Sequence, residues 1–238
     1  MPESTPPRDQ PVVRHALYFA PRHGSAWDRF GAAWLGRCAY TAAAIAQPVI
    51  AGVEASRLHA LTDAPRRYGF HATLKAPFRL VDGATPEQLL DELRSVFARR
   101  PAFDMPALQA RRLGGFLALV PAAASGELDR VARDCVMLLD RFRQPAGQAD
   151  IERRRAAGLS AQEEANLLRW GYPYVMESFR FHFSLTGPVG EEESVALIRE
   201  VRRLMPAEPL RFDAVTVFTE ASPGAAFRIT GRVEFEQR

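Results

Sequence analysis

Apolar and polar residues alternate without a break over residues 179–185, Phe-Arg-Phe-His-Phe-Ser-Leu, the two-residue period of a half-buried strand. Apolar runs over residues 15–20 and 68–80 predict two further strands, the second bent or held at a sheet edge by Pro77. Elsewhere the period lengthens to that of a helix. From Ser25 as N-cap, Trp27, Phe30, Trp34 and Leu35 recur at helical spacing up to Gly36. Leu89, Leu90, Leu93, Val96 and Phe97 do so after Thr85-Pro86, a helix start with proline in its first turn. A third stripe, carried by Leu128, Val131, Cys135, Leu138, Leu139 and Phe142, predicts a helix over residues 126–142. Residues 41–52 read as a loose segment, followed by a short helix at 56–61.

Gly114-Gly115 joins two short strands, 107–113 and 116–121, in a hairpin, and residues 210–220 and 225–234 form a second. Residues 144–170 are rich in Ala, Arg and Glu with few large apolar groups, a helical excursion broken at Gly158; residues 177–186 and 191–204 predict a strand and a helix. Strand, helix and hairpin thus occur twice in succession. The order predicts an α+β fold of two similar lobes, two antiparallel sheets flanked by helices, with an active cleft between them. It spans residues 12–238 as one bilobal domain behind a polar, Pro-rich tail over residues 1–11, expected to be disordered.

Composition narrows the class without choosing a function. The chain of 238 residues is 47% hydrophobic and 25% charged, as in a soluble globular protein able to bury a large core. Cys38 and Cys135 are far apart and in no redox or metal spacing, so a reducing, cytoplasmic setting is expected. No apolar run is long enough to span a bilayer, and a monomer with no membrane partner is expected. The net charge of +3 suits an anionic substrate but is weak for a nucleic-acid-coating surface. Of the 31 basic residues, Lys75 is the sole lysine.

Chemistry concentrates in two tetrapeptides, His71-Ala72-Thr73-Leu74 and His182-Phe183-Ser184-Leu185. In a strand, residues two apart share a face. His71, Thr73 and Lys75 therefore point one way while Phe70, Ala72 and Leu74 enter a core; Arg180, His182 and Ser184 likewise oppose Phe179, Phe181, Phe183 and Leu185. Imidazole, hydroxyl and cation on one face suit phosphoester chemistry. With unperturbed pKa values near 6.5, one histidine can be neutral and take a proton from water while its protonated partner gives one to the leaving oxygen. The hydroxyls of Thr73 and Ser184, with Lys75 and Arg180, are candidate phosphate ligands. No metal and no cofactor are called for, and no carboxylate–histidine cluster is evident. A third triplet, His23-Gly24-Ser25, breaks the alternation and sits at a helix start, so it reads as capping.

The paired motifs resemble the 2H phosphoesterase superfamily, with its LigT-like bilobal fold. Longer strings are similar to a branch encoded in phosphonate-utilisation operons: Arg67-Tyr-Gly-Phe-His-Ala-Thr-Leu-Lys-Ala-Pro-Phe78, Arg169-Trp-Gly-Tyr-Pro-Tyr174, Phe179-Arg-Phe-His-Phe-Ser-Leu-Thr-Gly187 and the opening Leu17-Tyr-Phe-Ala-Pro21. The resemblance implies hydrolysis of a small cyclic phosphodiester, such as a 2′,3′-cyclic nucleotide or a ribose 1,2-cyclic phosphate. RNA 2′–5′ end-processing or ligation stands second, and a non-catalytic sensor of phosphate ligands third.

Other residues carry two readings each. Tyr18 either stacks on a substrate base or sugar or belongs to the core. Tyr172 and Tyr174, with Trp170, form either an aromatic lid or a turn packed on the sheet. Arg180 binds phosphate or makes a rim ion pair, and residues 152–155 read as a solvated helix face.

Overall fold

The computed structural model describes residues 13–237, so the tail expected over residues 1–11 lies outside the described residues. In chain order it contains β1 (Arg14–Phe19), α1 (Ala26–Leu35), α2 (Ala55–Leu61), α3 (Asp63–Tyr68), β2 (Ala72–Phe78), α4 (Pro86–Phe97), β3 (Phe103–Asp104), β4 (Leu108–Leu113) and β5 (Phe116–Pro121). There follow α5 (Gly126–Leu138), α6 (Gln148–Arg155), α7 (Ala161–Trp170), β6 (Phe183–Pro188), α8 (Glu191–Leu204), β7 (Arg211–Phe212), β8 (Ala214–Glu220) and β9 (Arg228–Glu234). Single 3-10 turns occupy Asp140–Phe142 and Met176–Ser178.

Local chemistry sets most of these limits. The Ser25 hydroxyl accepts the Asp28 N–H to start α1, and left-handed Gly36 ends it. Thr85 with Gln88, and Ser160 with Glu163, close reciprocal capping boxes on α4 and α7. The two motif strands are shorter than their alternation predicts. Residues 63–68 form α3, with Pro65 tolerated in its first turn, so β2 begins only at Ala72. The 3-10 turn at Met176–Ser178 delays β6 to Phe183. Each histidine therefore stands one residue outside its strand, at the strand's entrance.

Two separate sheets were expected; instead one seven-stranded sheet runs in the order β4-β5-β6-β2-β1-β8-β9, with a two-stranded ribbon of β3 and β7. The hairpins cross over. The early hairpin β4–β5 lies beside the late strand β6, while the late hairpin β8–β9 lies beside β1. At the centre, β6 meets β2 through one bridged pair, Ala72 opposite Phe183. That arrangement also accounts for Pro77. Its strand is central in the order, yet past Ala72 it has no ladder partner on the β6 side, so a missing N–H costs nothing there.

The main core fills one face of the sheet, where Leu17, Phe19, Leu74, Phe183, Leu185 and Val217 are buried beneath the helices. Phe70 stacks on Phe183 with ring centroids 4.6 Å apart, tying the two motifs together from below. Helix α1 rests directly on that stack: a Cβ at Gly31 would lie 2.0 Å from the Phe70 ring. Burial of each such phenylalanine contributes about 1.5–3 kcal/mol. The opposite face carries a smaller cluster of Ala16, Tyr18, Ala20, Ala39, Phe218 and Phe227.

Candidate active site

The two histidines are held by the same device. His71 Nδ1 lies 2.8 Å from the Gly69 carbonyl, and His182 Nδ1 lies 2.7 Å from the Arg180 carbonyl. A carbonyl only accepts, so each Nδ1 carries the hydrogen and each Nε2 presents its lone pair outward. Gly69 has φ +81, and a Cβ there would meet that of Ala39 at 2.6 Å, so the turn that delivers this carbonyl needs glycine. Antiparallel extension of the Ala72–Phe183 pair sets His71 opposite Ser184 and His182 opposite Thr73. The four groups thus form an interlocked quartet on one face. Thr73 Oγ1 is 3.3 Å from His71 Nε2, whereas the Ser184 hydroxyl has no partner among the described residues.

Burial pushes the His71 pKa down to about 4, partly opposed by the Gly69 carbonyl and reinforced by the charge of His182. His182 is lowered as well, again by burial first, with the Arg180 carbonyl opposing. Both shifts favour the neutral imidazole in the free protein. A proton donor arises only when an anion beside the pair favours the imidazolium.

Tyr18 is a floor rather than a substrate contact. It is 1% exposed and stacks on His71, centroids 3.9 Å apart and planes 25° apart. Tyr68 and Phe218 stand 6.0 and 5.8 Å from the same imidazole, and Phe116 stands 5.7 Å from His182. Tyr68, although it lies in the Arg67–Phe78 string, and Phe116 were not singled out from the sequence, because neither shares the alternating face of a histidine. The aromatic clustering that places them is visible only after folding.

Lys75 does not continue the His71–Thr73 face. A bulge sets Thr73 opposite Tyr18 but Lys75 opposite the core-facing Leu17, which turns the lysine away. Its buried ammonium donates to the Val136 carbonyl at 3.0 Å and to Asp140 at 3.1 Å. Asp140 is also clasped by Arg143, which donates in turn to the Arg169 carbonyl. The lysine expected on phosphate is thus a strut from β2 to the segment after α5. Arg180 is exposed and makes no ion pair among the described residues; its carbonyl holds His182.

The excursion turns inward. Buried Asn166 of α7 donates to the Pro173 and Val175 carbonyls, fixing the loop that carries Tyr172 and Tyr174. Their rings meet edge-on at 5.5 Å, Tyr172 half-buried and Tyr174 43% exposed. Arg154, read from sequence as part of a solvated face, instead lies over the Tyr172 ring at 4.8 Å. A surface depression of about 500 Å³ lies elsewhere, between α4 and the Asp140–Phe142 turn, and holds an Arg141–Glu92 ion pair but no histidine. His23 pairs with Asp28 at 3.1 Å beside the α1 cap.

Among the described residues no three His, Cys, Asp or Glu side chains gather to hold a metal ion, and no helix is long and apolar enough to cross a membrane. The family described as "Protein of unknown function (DUF1045)" matches residues 73–228. The chain is 38% identical over 231 residues to the "Ribose 1,5-bisphosphate phosphokinase PhnN" of Janthinobacterium sp. (strain Marseille), covering 94% of this chain and 51% of that protein. It is 35% identical over 219 residues to the protein of the same name from Laribacter hongkongensis (strain HLHK9), covering 91% of this chain and 50% of that one. The chain spans about half the length of the curated relatives it matches.

Proposed function

The chain belongs to the DUF1045 family, and from its site we propose that it hydrolyses a cyclic phosphodiester by acid–base chemistry shared between His71 and His182. The observation that carries this reading is the quartet: two outward Nε2 atoms, each opposite a hydroxyl, with both Nδ1 atoms anchored. One neutral imidazole takes a proton from water as the oxygen attacks phosphorus. The other, protonated once the phosphodiester anion is bound, gives its proton to the ring oxygen as the P–O bond breaks. Water is consumed and a phosphate monoester is released. Thr73 and Ser184 donate to the non-bridging oxygens, where negative charge builds.

The relatives' name supports a ribose phosphate as the substrate class. Their name is that of a kinase acting on ribose 1,5-bisphosphate, and this chain matches half of each. The phosphate-cradling loop of P-loop kinases ends in Gly-Lys-Ser/Thr, whereas the single lysine here follows Leu74. We therefore assign the phosphokinase activity of those proteins to the half that this chain does not match, and a neighbouring step to the half that it does. A phosphate cyclised across O1 and O2 of ribose, cut at the P–O2 bond, leaves a ribose 1-phosphate. That is the anomeric arrangement in the name of the relatives' substrate.

A product-resolved assay on ribose 1,2-cyclic phosphate and 2′,3′-cyclic nucleotides tests the proposal. The expected product of the former is the 1-phosphate, with turnover reduced at least roughly 10²–10⁴-fold in His71→Ala and in His182→Ala. Wild-type turnover in both variants, or inhibition by EDTA that added metal reverses, overturns it.

A further inference from the structure

Three consecutive arginines close helix α6, and they are not equivalent. Arg153 pairs with Asp150, and Arg155 donates through Nε to Glu164 at 2.9 Å. Arg154 between them has no ion pair among the described residues, and its Nε is buried with no hydrogen-bond partner. Its guanidinium lies over Tyr172 at 4.8 Å. A cation in the last helical turn complements the helix dipole, which accounts for basic residues here. It does not account for a guanidinium turned inward with an orphan donor. Arginine stays charged in proteins, so it cannot relieve this situation by losing its proton. Such a donor needs an explanation, and Arg154 differs from Arg232, whose Nε is also without a hydrogen bond but whose guanidinium pairs with Asp213.

The surroundings indicate which kind of partner fits this donor and where it lies. Tyr172 is held by the Asn166-fixed loop and is close enough for its phenol to bear on those of Tyr18 and Tyr68, the rings packed on His71. Arg154 thus belongs to the same neighbourhood as the histidine pair. Burial is the main influence against its charge; Arg153 and Arg14 are near enough to add to it, while Tyr172 and Asp150 oppose them. Arg14 itself is matched by the buried carboxylate of Glu220, which it shares with Arg67. A planar fork with unmatched donors on an aromatic plate, beside a phosphodiester site, suits a phosphate monoester.

We propose that Arg154, seated on Tyr172, is the binding residue for a second phosphoryl group, so that the substrate is a cyclic phosphate also bearing a phosphate monoester. This rests on the reading of the histidine pair as the ring-opening site and adds the class of sugar phosphate it takes. Helix α6 then exists to deliver that arginine.

The test compares ribose 1,2-cyclic phosphate with its 5-phosphorylated form, on wild type, Arg154→Gln, Arg154→Lys and the neighbouring control Arg153→Gln. The expected result is a roughly 10- to 100-fold loss of kcat/KM in Arg154→Gln on the phosphorylated ring alone, the usual worth of hydrogen bonds to a charged group. Arg154→Lys should recover part of it, and Arg153→Gln should match wild type. Equal losses on both rings, or none on the phosphorylated one, overturn the proposal. A parallel calorimetric titration with ribose 5-phosphate requires no turnover. Binding that Arg154→Gln weakens and His71→Ala preserves supports the subsite even if neither ring is opened, whereas binding indifferent to Arg154 removes it.

Discussion

The ring of Tyr18 lies 3.9 Å from that of His71, the two inclined by 25°, and the tyrosine is buried beneath it. The stack limits how the imidazole can tilt, and a tyrosine face also favours the ring when it is protonated. Tyr18→Phe keeps the plate and should stay within about 1 kcal/mol of wild-type stability with near-normal turnover. Tyr18→Ala should lose roughly 3–5 kcal/mol, the range for large aromatics in a core, and lower kcat because His71 is no longer backed. Urea melts and turnover on the same preparations check both. A stable, fully active Tyr18→Ala would show that the stack does not orient the imidazole.

The depressed histidines make stability depend on pH. His71 is held down to about 4 in the folded chain, against an ordinary value near 6.5 when unfolded. Above about pH 6.5 it is neutral in both states and stability is fully present. As pH falls from there towards 4, the unfolded chain takes up a proton that the folded chain refuses, and stability declines; below that it levels off. For His71 the change is up to roughly 3 kcal/mol, and His182 acts in the same direction. Carboxylates add their own acid sensitivity, so the informative quantity is the difference between wild type and His71→Gln. The variant should lose less between pH 7 and 4.5; identical slopes would contradict the shift.

Lys75 and Asp140 predict a structural phenotype. Lys75→Ala leaves Asp140 with Arg143 alone and the Val136 carbonyl without its donor. The expected loss is roughly 2–3 kcal/mol, below the ~3–5 of a fully buried pair because Asp140 is partly exposed and keeps one cation. KM should change little. A thermal melt paired with kinetics decides the matter, since a large KM effect at unchanged stability would return Lys75 to the phosphate.

Gly69 should tolerate no side chain. Alanine there combines a left-handed backbone with a contact at 2.6 Å to Ala39. Gly69→Ala should cost about 1–3 kcal/mol and disturb the carbonyl that holds His71, lowering kcat more than KM. Adding Ala39→Gly removes the clash but not the φ, so rescue should be partial. Complete rescue would assign the effect to crowding alone.

Much of the local architecture was legible before folding, because caps and periods are local facts. Ser25, Gly36 and the Gly114-Gly115 hairpin fall where their chemistry places them, and residues 191–204 form α8 to the residue. What the alternation could not reveal is where a ladder stops. Residues 68 and 179–182 carry a strand-like pattern, yet α3 claims the former and no strand pairs with the latter. Nor could it reveal the bulge beside Leu17, which removed Lys75 from the site, or the inward turn of Arg154 within a polar helix. The histidines and hydroxyls were legible because they lie within two residues of each other on regular backbone. The arginine was not, because its partner ring is eighteen residues away, beyond the whole of α7.

The crossing of the hairpins sets a condition on biosynthesis. His71 emerges early, but the surface behind it is completed by Phe218 and Phe227, and β1 gains its outer neighbour only when β8 has been made. The strand that brings His182 is itself flanked by a hairpin translated long before it. No contiguous fragment short of nearly the full described chain holds the quartet with its backing intact. A nascent chain therefore lacks part of the surface behind His71 until Phe227 has been made, and a cut anywhere between β5 and β6 leaves two pieces that each lack what the other must supply.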